Sequence, residues 1–306
     1  MHRFGLAGAS LLLCVCTLQG LAQKVSDSLW QDARHLSAGP LSCISRQFSF
    51  TEGASVDREG RVYFTDQPNN TIWEYTLKGR LKVFMHPCGR SNGMYIDRQG
   101  RLLSCADRHD ELWLLNKLGQ VRVLANAYRG HRLNGPNDLW VAPGGAIYLT
   151  DPYYQRPYWK RRHPDLPLQG VYLLAPGSDS LQLLAGDLKK PNGIVGTPDG
   201  RLLYVADIGA GTIYRYRIDP RTGQLRDKRL WIAQGSDGMT LDAEGNLYLC
   251  GNGVTVYTRK GRRIAHFPVP EAWTANLCFG GAEKTTLYIT ASKGFYALPM
   301  RVRGVE

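Results

Sequence analysis

Short runs that alternate between apolar and polar residues recur along the whole chain, each closed by a turn. One phrase carries the recurrence. It reads Asp57-Arg-Glu-Gly60-Arg-Val-Tyr-Phe-Thr-Asp66, then Asp97-Arg-Gln-Gly100-Arg-Leu-Leu-Ser-Cys-Ala-Asp107. It returns as Pro143-Gly-Gly145-Ala-Ile-Tyr-Leu-Thr-Asp151, as Pro198-Asp-Gly200-Arg-Leu-Leu-Tyr-Val-Ala-Asp207 and as Asp242-Ala-Glu-Gly245-Asn-Leu-Tyr-Leu. A sixth, degenerate copy is Gly280-Gly-Ala-Glu-Lys-Thr-Thr-Leu-Tyr-Ile-Thr290. Alternation of period two predicts half-buried strands, and Asp with Gly predicts the tight turns between them. No stretch keeps a long helical period.

The anchoring glycines at 60, 100, 145, 200 and 245 are 40, 45, 55 and 45 residues apart. Several short strands per unit at that period are the mark of a β-propeller. Each unit carries a later strand, such as Thr71–Tyr75, Glu111–Leu115 or Thr212–Tyr216. The expectation is an all-β, six-bladed β-propeller formed by residues 23–306 as one domain. The last unit is a strand short, and the segment around Leu41 to Phe50 can supply it and close the ring. The long step holds an insertion, Tyr153-Tyr-Gln-Arg-Pro-Tyr-Trp-Lys-Arg-Arg-His163, which reads as a rim loop.

Counting eight residues back from each glycine gives Glu52, Asn92, Asn137, Asn192 and Asp237, and Asn276 matches in the sixth copy. Gly or Asp follows the first five of these residues, and an apolar-alternating strand follows all six. The first strand of a propeller blade lines the central channel, so these positions form a ring about the axis. Asn-Gly and Asp-Gly also serve as plain turn punctuation, but six coincident positions favour a site. Two carboxylates and four carboxamides are hard oxygen donors. They suit Ca²⁺ first and Mg²⁺ next; Zn²⁺ stays a further alternative, although it prefers nitrogen or sulfur ligands.

Composition narrows the classes. At 306 residues and 43% hydrophobic, the chain is a folded globular type. Residues 1–22 read as a signal peptide: His2 and Arg3, an apolar run from Leu6 to Val15, and a small-x-small cleavage site at Gly20-Leu21-Ala22. The expected destination is periplasmic or secreted, with no membrane span. Removal of Arg3 takes the net charge from +12 to +11. That excess comes with no nucleic-acid motif and reads as a basic surface or an attractive rim for anions. No CxxC, HExxH, P-loop or EF-hand loop occurs. Gly89-Arg-Ser91-Asn-Gly93 matches GxSxG, but a strand follows it where a nucleophile elbow needs a helix.

The phrases Thr51-Glu-Gly53, Leu133-Asn-Gly-Pro-Asn-Asp138, Lys190-Pro-Asn-Gly193 and Ser236-Asp-Gly-Met239 resemble the senescence-marker-protein/gluconolactonase family of six-bladed propellers over nearly the whole mature chain. Thr150-Asp-Pro-Tyr-Tyr154 is similar to a segment of the bacterial gluconolactonases. The resemblance implies a calcium-type metal in the central channel, held by Glu52, Asn137, Asn192 and Asp237. It implies substrate contacts at Arg132 and Asn134, with Asn92 and Tyr154 beside them. The implied activity is opening of a small-molecule sugar lactone to an aldonic acid by a monomer. Asp237 is the first candidate to orient or deprotonate water, and Asp107 the second. The chain departs from the family where Ala106-Asp107-Arg108-His109 follows Cys105, because Glu-His-Gly is common there. Two other readings stand beside lactone hydrolysis: phosphotriester hydrolysis on the same metal site, and a secreted binding propeller without turnover.

Overall fold

The computed structural model describes residues 33–116 and 119–305; the leader expected over residues 1–22 lies outside them. Six four-stranded antiparallel sheets follow one another around an axis. The first five take their strands in chain order. Their innermost strands are Thr51–Val56, Ser91–Ile96, Leu139–Val141, Pro191–Gly196 and Met239–Leu241. The sixth blade runs Thr274–Gly280, Thr286–Ala291 and Gly294–Pro299, and its outermost strand is Ser42–Ser45 from the other end of the chain. Ser42 pairs with Ala297 and Cys43 with Tyr296. The ring is closed as expected, the sixth blade taking its fourth strand from the segment before the first blade.

Apolar faces of neighbouring blades pack in six clusters, one per junction. The closing junction is aromatic: Phe64 stacks on Phe295 at 4.3 Å, and Tyr288 on Phe295 at 5.6 Å. Four of the five described cysteines are buried among such residues and all five are free. They act as small hydrophobes.

The two aspartates of the repeated phrase have separate structural tasks. The first clamps the hairpin turn. Asp57 Oδ1 accepts the Arg61 N–H at 2.9 Å and Oδ2 takes its Nε at 2.6 Å; Asp97 does the same with Arg101, at 2.9 and 2.7 Å. The second aspartate ends the second strand and reaches back to the loop entering its own blade. Asp66 accepts from the Ser49 and Phe50 N–H groups, Asp151 from Asn134 and Gly135, and Asp207 from Lys189 and Lys190. Each pair lies two and three residues before a ring residue. The phrase therefore fixes where the channel-lining residue begins.

Ser91, the middle of the GxSxG match, is fully buried on an innermost strand. Its hydroxyl donates to the Cys88 carbonyl at 2.6 Å. A strand and an Asp turn follow it, with no helix.

Candidate functional site

The ladder between first and second strand breaks at the ring position wherever a strand is formed there. Register shifts fall between Glu52 and Ser55, Ser91 and Met94, Pro191 and Ile194, and Thr274 and Asn276. In the third and fifth blades the strand starts only after the ring residue, at Leu139 and Met239. Such bulges re-aim a side chain. The glycine after the ring residue answers a close approach. A Cβ on Gly53 would stand 2.1 Å from the Asn92 carbonyl, and one on Gly193 2.1 Å from that of Asp237. Four of the six blades thus seat this glycine against the ring residue of the next blade. Threonines of the second strand hold the same backbone, as Thr150 Oγ1 does on the Asn192 carbonyl at 2.6 Å.

All six ring residues are buried, Asp237 being the most open at 8%. Glu52 and Asp237 act on one another. Burial pushes the Glu52 carboxyl well above the carboxylate range, the charges of Asp237 and Asp138 push it further, and the Gly53 N–H and Arg156 oppose them. Asp237 is raised to about 6 by burial, against hydrogen bonds from Trp273 and Asn192 and the charge of Arg156. The Trp273 indole N–H donates to Asp237 Oδ2 at 2.6 Å. Among the described residues neither carboxylate has a basic partner within ion-pair distance.

Two buried carboxylates, one of them pushed further up by the other's charge and both flanked by carboxamides, fit a hard divalent cation. Among the described residues no group of three His, Cys, Asp or Glu gathers in metal-binding fashion, so a cation here would need the carboxamides as well. Glu52, Asn137, Asn192 and Asp237 are the residues that would hold the ion.

Tyr154 belongs to this mouth. Asn192 Nδ2 donates to its hydroxyl at 3.0 Å, and Arg156 and Lys190 stand 5.4 and 4.5 Å from its ring centre. Asn92 lines the same ring, its carbonyl accepting from Thr65 Oγ1 at 3.2 Å.

Asp107 lies beneath the insertion loop. Its Oδ2 accepts from Gln67 Nε2 at 3.1 Å and from the Tyr158 hydroxyl, and Arg156 Nε lies 2.8 Å away. Burial raises its pKa while Arg156 and Tyr158 oppose. Unlike its counterparts it makes no clamp on the entering loop. Asn70 takes that task, its Oδ1 accepting from the Cys88 and Arg90 N–H groups at 3.1 and 2.6 Å.

Arg132 and Asn134 are not brought to the ring. Arg132 is exposed and 3.8 Å from Asp110. Asn134 is fully buried. Its Nδ2 donates to the Leu168 carbonyl at 2.9 Å and its Oδ1 accepts the Leu166 N–H at 3.4 Å, so the amide holds the insertion loop.

Three contributors escaped the sequence reading. Asp138 follows the third ring residue where four other ring residues are followed by glycine. Its carboxylate accepts the Leu139 and Ile194 N–H groups at 2.9 and 3.3 Å, tying blade three to blade four beside Glu52. The Asp in place of Gly was the available signal. Arg156, which acts on Glu52, Asp237 and Asp107 alike, and Trp273 were signalled by nothing periodic.

The family model for the SMP-30/Gluconolactonase/LRE-like region matches residues 50–293. The gluconolactonase of Zymomonas mobilis is 27% identical over 283 residues, covering 83% of this chain and 79% of the relative. A pentonolactonase of Haloferax volcanii is 30% identical over 256 residues, 77% of this chain and 81% of the relative. The solved structure of a gluconolactonase from Xanthomonas campestris superposes with a TM-score of 0.79 at 30% identity, over 85% of this chain and 89% of that one. The chain belongs to the SMP-30/gluconolactonase/LRE-like family.

Proposed function

We propose that this protein is a metal-dependent lactonase that opens a small sugar lactone to an aldonic acid at the mouth ringed by Glu52 and Asp237. The burial of these two carboxylates, with the charge of Asp237 acting on Glu52, supports the metal part of the reading. Relatives named as gluconolactonase and pentonolactonase support the reaction class. When bound, a divalent cation, Ca²⁺ before Mg²⁺ or Zn²⁺, supplies a Lewis acid to the lactone carbonyl and makes water more acidic.

The chain's own groups do the rest. Glu52, Asn137, Asn192 and Asp237 bind the ion. Asp237, oriented by Trp273, faces the attacking water and takes its proton as the oxygen joins the carbonyl carbon. The ring C–O bond then breaks, Asp237 passes that proton to the departing ring oxygen, which becomes a hydroxyl, and the new carboxylic acid gives water's second proton to solvent and leaves as a carboxylate. Tyr154 and Asn92 contact the sugar. Asp107 anchors Arg156 and Tyr158 so that the loop covers the mouth and excludes bulk water. Arg132 and Asn134 bear on substrate through that loop. The protein acts as a monomer, in the periplasm or outside the cell.

Turnover of glucono-, galactono- and pentonolactones, with and without chelator, tests this. Chelator-sensitive lactone opening is expected. Hydrolysis of aryl phosphotriesters alone, or no turnover of either class, contradicts it.

A further inference from the structure

The channel has a second mouth. The innermost strands end there on Val56, Ile96, Val141 and Gly196, around a cavity of about 370 Å³. Four strand residues at about 3.3 Å each separate Val56 from Glu52, so this cavity lies about 13 Å from the acidic ring. Its inner wall is apolar and partly flat, with Tyr95, Trp140 and Val195. Its rim is cationic, with Arg58, Arg98, Lys284 and Arg303.

The repeat accounts for the asymmetry. Two residues before each anchoring glycine stand Arg58, Arg98, Pro143, Pro198 and Ala243. Arginine occupies this register only in the first two blades, and both side chains reach one cavity. Asp57 and Asp97 also line it, but Arg61 and Arg101 already hold each within its own turn. Among the described residues no carboxylate comes within ion-pair distance of Arg58, Arg98 or Arg303.

The remaining cations are placed by packing. Lys284 is 9% exposed and its ammonium donates to the Asp57 carbonyl at 3.2 Å. Arg303 is carried across the mouth by the chain's last residues. The Ala243 N–H bonds the Arg303 carbonyl at 2.8 Å, and the Gly304 N–H bonds that of Lys284 at 2.9 Å. The three arginines around one small cavity repel each other, and an anion that enters relieves that repulsion.

We propose that this cavity is a second binding site, for a small organic dianion that carries carboxylate or phosphate groups on a flat carbon skeleton. The arginines grip the charged groups, and the wall of Tyr95 and Trp140 takes the skeleton. The site is separate from the acidic ring and needs no metal.

Calorimetric titration of the full chain with benzene-1,3-dicarboxylate, a weak chelator, tests it, with sulfate as the bare-oxyanion arm. One saturable site for the dicarboxylate is expected, with sulfate binding more weakly. Arg58→Gln/Arg98→Gln should lose at least tenfold in affinity while keeping lactone turnover, which reports that it is folded. Asp237→Asn should bind the dicarboxylate like the parent. No saturable heat, or equal binding by the double variant, overturns the proposal. Sulfate binding as tightly as the dicarboxylate overturns the organic assignment.

Discussion

The two mouths of the channel are built from the same strands, yet they treat acids differently. At the far mouth Asp57 and Asp97 each meet an arginine four residues on, and their charges are matched inside one turn. At the near mouth Glu52 and Asp237 have no such partner among the described residues; burial raises both, and the charge of Asp237 raises Glu52 further. A locally matched acid shapes a turn. A pair of buried acids without an ion-pair partner resists ionisation, and a cation from outside favours their anionic form.

The largest effect expected from this contrast is on turnover. Asp237→Asn removes charge and basic function together and should cost about a thousandfold or more in kcat/KM. Asp97→Asn at the other mouth should leave kcat/KM within a few-fold and cost about 1–3 kcal/mol of stability, because Asp97 holds backbone and guanidinium donors. Steady-state kinetics with denaturant unfolding checks both. Equal kinetic losses at the two mouths would erase the distinction.

Next comes stability. Chelation should lower the melting temperature and Ca²⁺ should restore it, since an ion that binds only the folded state stabilises by linkage. Melting that is indifferent to both removes the metal from the account.

Acidity sharpens the same contrast. Without metal, Asp237 holds its proton up to about pH 6, above the usual carboxylate range. The folded state then binds more protons than the unfolded one, so the chelated protein loses stability as pH rises through about 6. Protons also compete with Ca²⁺ below that point. The gap in melting temperature between loaded and chelated protein should therefore widen from pH 5 to 7.5. A constant gap contradicts the apposed-carboxylate picture.

The smallest effect belongs to Ser91→Ala. Its hydroxyl is spent on the Cys88 carbonyl, so hydrolysis should be nearly unchanged. A thousandfold loss would instead mark a nucleophile.

Much of the architecture was legible because one phrase recurs from blade to blade and carries the same two structural tasks in several of them. Asp-x-x-Gly closes a hairpin, and the aspartate ending the second strand clamps the entering loop. The closing strand was legible from the deficit in the last repeat, and the structure narrows it to Ser42–Ser45. The ring positions followed from counting back from a fixed turn.

What stayed hidden depends on loop course. Arg156, Tyr158 and Trp159 reach Asp107 across about fifty residues of sequence, and no periodicity encodes such contacts. Asp107 shares its register with Asp66, Asp151 and Asp207, yet Asn70 has taken over its clamp. The phrase alone cannot show that. Arg132 and Asn134 sit close in sequence to Asn137, but the Asp151 clamp turns the Asn134 amide toward the insertion loop.

Calorimetric Ca²⁺ titration of ring variants tests the central claim most directly. Glu52→Gln and Asp237→Asn should lose Ca²⁺ binding by at least a hundredfold, while Asn92→Ala and Asn276→Ala keep it within a few-fold. About 2.4 Å from ion to each oxygen cannot be met from all six strands at once. Equal loss in all four variants, or tight binding retained without either carboxylate, would contradict a cation held between Glu52 and Asp237.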